Sequence, residues 1–199
     1  MFSGNFDIQI FGSKIIKKFN LGIKRDRQLS KLITPYLENT DCVLDIGLGL
    51  GRIAKMIKDR GHRVVGVDIK NLSIVDDIVP VIYDGRKLPF KDNSFDVSLL
   101  ITVLHHTPNP ELVLREAKRV SKKIIIIEDI YRNNFQKQFT YFMDSLLNFE
   151  FFGHPHSNKS DLGWVNLFKK LRLKLINSKY IKTWMFSQGV YFLEKYVKE

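Results

Sequence analysis

Short apolar runs alternate with helical patterns between residues 42 and 130 of the chain. The runs that predict β-strands are CVLDIG (42–47), RVVGVDI (63–69), VPVIYD (79–84), FDVSLLITVL (95–104) and KIIIIEDI (123–130). Between them, apolar residues at three- and four-residue spacing predict helices over 52–61 and 109–120. Gly61 closes the first of these helices, and Asn109 and Pro110 start the second. Strands that are apolar on both faces and alternate with helices predict a doubly wound α/β fold with a parallel sheet.

The pattern differs on both sides of this region. Residues 14–38 have helical spacing, which Asn20 and Gly22 are expected to divide into two helices. The remaining predictions are an amphipathic helix over 134–149, a loop over 151–163, a helix over 164–171, and two final strands over 173–181 and 190–197. We therefore expect one domain over 1–199, made of N-terminal helices (1–40), a core (41–130), a substrate-side helix and loop (131–163), and a final helix and hairpin (164–199).

Composition narrows the class of protein. The only cysteine is Cys42, which excludes a disulfide within the chain. No apolar run approaches the roughly 20 residues needed to cross a bilayer. The first residues also lack a basic start followed by an apolar core. These features predict a cytoplasmic protein without a membrane segment.

The formal net charge of +11 is concentrated at the two ends of the chain. Residues 1–40 carry seven basic and three acidic groups, and residues 159–199 carry nine and three, whereas the middle is nearly neutral. A basic surface can attract nucleic acid, anionic lipid or an anionic small substrate. Because no arginine-rich run or interleaved aromatic motif accompanies the charge, we favour an ordinary solvated surface.

Three glycines, Gly47, Gly49 and Gly51, follow the first predicted strand where a helix should begin. In open parallel sheets, ligands bind beyond the carboxyl ends of the strands, and glycine lets a ligand approach the backbone there. A dinucleotide site favours the spacing G-x-G-x-x-G. Here the spacing is G-x-G-x-G with Arg52 next, which disfavours a nicotinamide-dependent reductase.

The stretch VLDIGLGLGRIA (43–54) resembles the first motif of class I S-adenosylmethionine-dependent methyltransferases, particularly the type 11 group. Leu48 and Leu50 stand where that family often has Cys and Thr. Three further segments resemble family motifs in the same order, namely VVGVDI (64–69), YDGRKLPFKDNSFDVSLL (83–100) and ITVLHH (101–106). The resemblance implies a seven-stranded sheet in the order 3-2-1-4-5-7-6, with strand 7 antiparallel and helices on both faces.

The resemblance also implies that the chain binds S-adenosylmethionine and releases S-adenosylhomocysteine. Asp68 would accept hydrogen bonds from the ribose hydroxyls, Asp84 would accept one from the adenine amino group, and Gly85 would lie beside the ring. The cofactor-binding residues implied in this way are Asp45, Gly47, Leu48, Gly49, Gly51, Asp68, Ile69, Asp84, Gly85 and Thr102.

The implied reaction is an in-line displacement in which a nucleophile attacks the methyl carbon of a sulfonium. A general base is needed only when the nucleophile carries a proton of high pKa. The candidates for that base lie after the fourth and fifth predicted strands and in the 151–163 loop, and they are His105, His106, Glu128, Asp129, His154 and His156. Of these, we expect His105, His106 and Asp129 to be catalytic, each also compatible with packing or capping.

A metal is not expected. Some metal-dependent methyltransferases carry an E-x-x-E-H pattern, and at the corresponding positions of this chain only His106 matches it. The chain also lacks the (D/N/S)PP(Y/F/W) motif of amino methylation and a Pro-Cys nucleophile for cytosine methylation. A small-molecule methyltransferase acting on an O or N atom is therefore the favoured interpretation. An RNA or protein methyltransferase using the basic termini, and a catalytically silent cofactor-binding partner, stay open.

Overall fold

The computed structural model describes residues 22–38, 41–131, 157–182 and 187–196. Its strands are β1 (Cys42–Ile46), β2 (Arg63–Asp68), β3 (Val81–Ile82), β4 (Phe95–Ile101), β5 (Ser121–Ile130), β6 (Leu173–Lys182) and β7 (Ser187–Lys195). They form one sheet in the order β3-β2-β1-β4-β5-β7-β6. The first five strands pair in parallel, and β7 runs antiparallel to both β5 and β6. The predicted order and the reversed strand are confirmed.

Within the described ranges, the helices that pack on this sheet are α1 (Ile23–Ile33), α2 (Arg52–Lys58), α3 (Pro110–Val120) and α4 (Asp161–Lys170). Short 3-10 turns span Thr34–Tyr36 and Leu104–His106. Asn109 caps α3 by accepting a hydrogen bond from the backbone N–H of Leu112, as its position before Pro110 predicts. Gly22, with φ of 80°, precedes α1, so the second of the two helices predicted over 14–38 begins directly after this glycine; the first lies outside the described residues.

Two hydrophobic clusters lie on opposite faces of the sheet. Leu44 and Ile46 of β1 belong to the cluster that contains Leu114 of α3 and Trp164 of α4. Val43, which points the other way, belongs to the cluster with Leu29 and Ile33 of α1 and Ile57 of α2. Because successive strand residues face opposite sides, burial on both faces explains why the central strands are nearly continuous apolar runs.

The structure corrects several predicted boundaries. The third strand is much shorter than 79–84, since Val79 is 68% exposed and only Val81–Ile82 pairs with β2. Pro80 lacks the N–H that a ladder needs, and the strand is at an edge with one neighbour. The last helix begins at Asp161 rather than at residue 164, because the side chain of Ser160 accepts a hydrogen bond from the N–H of Gly163.

The chain leaves the sheet after β5 and returns beside the same point. An isolated parallel bridge joins Ile130 to Lys159, so the two ends of the intervening segment meet at the end of β5. The predicted helix over 134–149, His154 and His156 lie outside the described residues. In the part of the chain that the structure describes, no helix is long and apolar enough to span a membrane.

Candidate functional site

A cavity of about 860 Å³ opens at the carboxyl ends of β1, β2 and β4. This is where parallel sheets of this type bind ligands, because the loops of adjacent strands diverge there. The sequence-predicted residues that line it are Asp45, Gly47, Leu48, Gly49, Asp68, Ile69, Asp84, Gly85, Thr102 and His106. The cavity therefore brings together residues from all four sequence motifs.

Gly47 lines the cavity and is closely packed against Val103. Its φ of 77° is in the left-handed region, and a Cβ there would lie 2.3 Å from Cγ2 of Val103. The space that a side chain would need is thus already filled from the loop after β4. Glycine is required at this position for both the backbone conformation and the packing.

The loop after β1 is fastened to the end of β2. The backbone N–H of Gly49 donates a hydrogen bond of 2.9 Å to Oδ2 of Asp68, while Oδ1 accepts one of 2.7 Å from the N–H of Ile69 and a longer one of 3.4 Å from the N–H of Lys70. Because each carboxylate oxygen has about two lone-pair sites, Oδ2 is the oxygen that can accept a further bond from a ligand. Burial raises the pKa of Asp68, and the hydrogen bond from Gly49 opposes that shift.

Gly51 and Leu48, both predicted to bind the cofactor, differ in their relation to the cavity. Gly51 does not line the cavity; it precedes α2 with φ of 75°, and a Cβ there would lie 2.8 Å from the Ser73 hydroxyl. Leu48 does line the cavity, but its side chain is buried against Gly66, where an added Cβ would come within 2.8 Å of it. The third glycine thus serves the turn and its packing.

Asp45 is the most deeply placed acid of the cavity and is 4% exposed. Burial, with a further contribution from the charge of Asp68, raises the pKa of Asp45 to about 7. A carboxyl group with that pKa changes charge near neutral pH and responds strongly to a cationic neighbour.

Asp84 lies in a tight turn after β3. Its Oδ1 accepts hydrogen bonds from the backbone N–H groups of Arg86 (2.9 Å) and Lys87 (3.2 Å), which lower the pKa of Asp84. Gly85 follows with φ of 76°. The turn role that sequence reasoning left open is therefore present, and contact with adenine stays a prediction.

The three predicted catalytic residues separate in space. His106 lines the cavity, whereas His105 is fully buried with Nδ1 2.5 Å from Oε2 of Glu128. Asp129 does not line the cavity either; its Oδ1 accepts a hydrogen bond of 2.7 Å from Gln188 on β7, and burial raises its pKa. His105 and Asp129 therefore do not line the cavity, and a catalytic role for either stays a prediction.

Two residues of α1 that the sequence analysis did not single out contribute to this cavity. Arg25 and Asp26 line it, and Asp26 forms a salt bridge of 3.3 Å with Arg52 at the start of α2. Burial raises the pKa of Asp26, opposed by the charges of Arg25 and Arg52. Only the position of Arg52 beside the glycines hinted at a site role, and nothing in the sequence linked it to Asp26.

Metal ligation has no support in the described residues. No group of three or more His, Cys, Asp or Glu side chains with suitable placement occurs within residues 22–38, 41–131, 157–182 and 187–196.

Comparison with known proteins finds similarity over the region that contains the four motifs. A family model described as "Methyltransferase domain" matches residues 44–125. The chain is 32% identical over 157 residues to sterol 4-C-methyltransferase strm-1 of Caenorhabditis elegans, covering 68% of this chain and 45% of that protein. The chain spans less than half the length of the first curated relatives it matches.

Solved structures share the fold. A SAM-dependent methyltransferase from Methanosarcina mazei superposes with a TM-score of 0.63 at 20% identity, over 84% of this chain and 98% of that one. The [4+2]-cyclase SpnF superposes with a TM-score of 0.67 at 12% identity, over 87% and 81%. Since a cyclase shares the fold, the fold alone does not specify the reaction.

The first prediction compares two glycines of the same loop. Gly47→Ala combines a left-handed φ with a clash against Val103, whereas Gly49→Ala, with φ of 54° and no atom nearer than 4.0 Å, adds only the backbone cost. We expect urea unfolding to show a loss of about 3 kcal/mol for the first and about 1 kcal/mol for the second. Equal losses would contradict the close packing of Val103 on Gly47.

The second prediction concerns pH and the ligand-free protein. Because the pKa of Asp45 is raised to about 7, the folded state keeps a proton that the unfolded state releases near pH 4. The free energy of unfolding should therefore fall as pH rises from about 4 to 7, by up to about 4 kcal/mol from this group.

Asp45→Asn should remove that part of the pH dependence, because the amide stays neutral throughout. Asp59→Asn, at an exposed carboxylate outside the cavity, is the matched control and should keep the wild-type slope. Parallel pH profiles of wild type and Asp45→Asn would exclude this assignment.

Proposed function

We propose that this chain is a class I S-adenosylmethionine-dependent methyltransferase, and that it transfers a methyl group from S-adenosylmethionine to an O or N atom of a small-molecule acceptor; the match of residues 44–125 to a methyltransferase family model supports the first part. The observation that carries the proposal is the cavity in which Gly47, Asp45, Asp68 and the Asp84 turn converge.

The charges of the cavity suit this cofactor. S-adenosylmethionine carries a positive sulfonium and an ammonium group, and Asp45 and Asp68 both line the cavity. A cation near Asp45 would favour its ionised form and so lower its raised pKa. Arg25 and Arg52, which also line the cavity, are the candidates to hold the carboxylate of the cofactor.

The adenosine half has partners on β2 and in the turn after β3. After accepting from Gly49, Oδ2 of Asp68 retains a lone-pair site for a ribose hydroxyl, and Asp84 and Gly85, which line the cavity, would contact the adenine. The exposed side chain of Ile69, which lines the cavity, would gain apolar contact from a ring packed on it.

The bound cofactor supplies a methyl group that is already activated for displacement. The protein then has to align the acceptor, exclude water and, where the acceptor carries a proton of high pKa, remove it. Of the predicted catalytic residues, His106 is the one that lines the cavity, and we propose it as that base.

A small-molecule acceptor is supported by the cavity and by a relative. Apolar side chains of Ile53, Ile101 and Leu112 line the cavity beside its polar groups, an arrangement typical of small-ligand sites. The Caenorhabditis elegans relative is named as a sterol 4-C-methyltransferase, which supports a small-molecule acceptor but not the choice of an O or N atom. The cyclase among the structural neighbours keeps open the alternative of a cofactor-binding protein that does not transfer a methyl group.

The third prediction tests cofactor binding by calorimetry. S-adenosylmethionine and S-adenosylhomocysteine should bind and NADH should not. Asp68→Ala should weaken binding about tenfold to a hundredfold, because each hydrogen bond to a charged group contributes about 1.5–3 kcal/mol. Asp59→Ala, outside the cavity, should bind as wild type does.

A ligand variant distinguishes lost ribose contacts from a disturbed loop. The 2′-deoxy form of S-adenosylhomocysteine should bind wild type more weakly than the parent compound, but both should bind Asp68→Ala with similar affinity. If instead removal of the 2′-hydroxyl weakens binding to Asp68→Ala as much as it weakens binding to wild type, Asp68 does not contact the ribose hydroxyl.

The fourth prediction tests turnover. Release of S-adenosylhomocysteine should require the low-molecular-mass fraction of a metabolite extract, and His106→Ala should lower kcat at least about tenfold if the acceptor proton needs a base. Turnover with RNA or protein fractions instead would support a macromolecular acceptor. Binding without turnover in any fraction would support the silent partner.

A further inference from the structure

We propose that Glu128 is a positioning residue, which holds a strained Thr102 in the cavity wall and so shapes the cofactor site. This inference rests on the proposed function, since its effect is read out through cofactor binding. Sequence reasoning considered Glu128 as a candidate base, with capping of a turn at the end of a strand as the alternative.

The strain lies at Thr102, directly after β4. Its φ is 52°, a left-handed value that β-branched residues rarely adopt. Such conformations persist only where surrounding contacts fix them, and they are concentrated at functional sites. One contact comes from the backbone, because the N–H of Thr102 donates a hydrogen bond of 2.7 Å to the carbonyl of Ile127.

Glu128 supplies the contacts that follow. Its side chain is fully buried, and Oε1 accepts hydrogen bonds from the N–H groups of Val103 (3.0 Å) and Leu104 (2.6 Å). Oε2 lies 2.5 Å from Nδ1 of His105. One carboxylate thus fixes three consecutive residues immediately after the strained one.

This hold reaches the cavity through side chains that line it. Thr102 and Val103 are both in the wall, and Val103 fills the space that a side chain on Gly47 would occupy. Moving the 102–105 backbone would therefore shift the wall against the first glycine of the β1 loop. Glu128 itself does not line the cavity, so it acts through these residues and not as a base.

Ser157, which lies further along the chain than Glu128, makes a second set of contacts with the same turn. The Ser157 N–H donates to the carbonyl of His105 (3.1 Å), and its hydroxyl contacts the carbonyls of Leu104 (2.9 Å) and Thr107 (3.0 Å). The turn is thus fixed at its start by Glu128 and at its end by Ser157. His106 lies between these two anchors and lines the cavity.

The fifth prediction is a double-mutant cycle on cofactor affinity. Glu128→Ala should weaken S-adenosylmethionine binding at least about tenfold, because the turn can then relax out of its strained conformation. Glycine adopts positive φ without penalty, so the same Glu128→Ala change should cost at least threefold less in a Thr102→Gly background. Equal costs in both backgrounds would overturn the proposal.

Amide hydrogen exchange tests the same hold without the cofactor. The amides of Val103 and Leu104 should exchange slowly in wild type and much faster in Glu128→Ala. Ser98→Ala, which removes a buried hydroxyl paired with Ser121 outside the cavity, is the matched control for lost buried polar contacts. It should leave exchange at residues 103 and 104 unchanged.

The outcomes separate the two proposals. In one outcome, slow exchange at residues 103 and 104 depends on Glu128, but the protein binds no S-adenosylmethionine. That result would refute the cofactor assignment. It would also overturn the role of Glu128 in the cofactor site and leave it a role in loop structure alone. Cofactor binding that is unchanged in a folded Glu128→Ala would refute the positioning role alone. If Glu128→Ala does not fold, Glu128→Gln is used; its single side-chain carbonyl should retain only part of the hold, so wild-type exchange and affinity in that variant would also count against the proposal.

Discussion

The strands β2 and β5 flank the neighbouring pair β1 and β4, and carboxylates at or near their ends hold the loops that follow β1 and β4. Asp68 at the end of β2 binds the β1 loop through Gly49, and Glu128 near the end of β5 binds the β4 loop through Val103 and Leu104. β1 and β4 are neighbours in the sheet. From β1 the chain continues to β2 on one side of this pair, and from β4 it continues to β5 on the other side. The cavity lies where these two loops diverge, so its shape depends on both attachments.

The electrostatics of the cavity contrast with those of the whole protein. The chain carries a net charge of +11, yet the acids Asp45 and Asp68 both line the cavity. Burial and, to a smaller extent, the charge of Asp68 raise the pKa of Asp45 to about 7, so that this carboxyl group is only partly ionised near neutral pH. A carboxyl group in this condition becomes more acidic when a cation approaches, which matches the charge of a sulfonium donor.

Much of the fold could be predicted from the sequence, because strands buried on both faces leave apolar runs with helices between them. The third strand was overestimated, since Val79 and Ile82 have β-branched side chains but lie at an exposed edge where only one neighbour can pair. The glycine motif correctly located the cavity. It did not separate Gly47, whose space is filled by Val103, from Gly51, which serves the turn before α2.

Side-chain direction was the main information that the sequence lacked. His105 and His106 are adjacent, but one is paired with Glu128 in the core and the other faces the cavity. The direction of each is decided by a 3-10 turn and by contacts from residues far along the chain, such as Ser157. The Asp26–Arg52 salt bridge likewise joins two helices whose relation is not encoded in local spacing.

The bridge between Ile130 and Lys159 has an evolutionary consequence. A segment whose two ends meet at one point can be lengthened, shortened or exchanged without changing the register of the sheet. For a flexible loop, the entropic cost of closure rises by only about 0.6 kcal/mol for each doubling of its length. The return end of this segment, at Ser157, contacts the turn that carries His106. Exchanging the segment at this junction would therefore change what is attached to the turn of His106 while leaving the sheet unchanged.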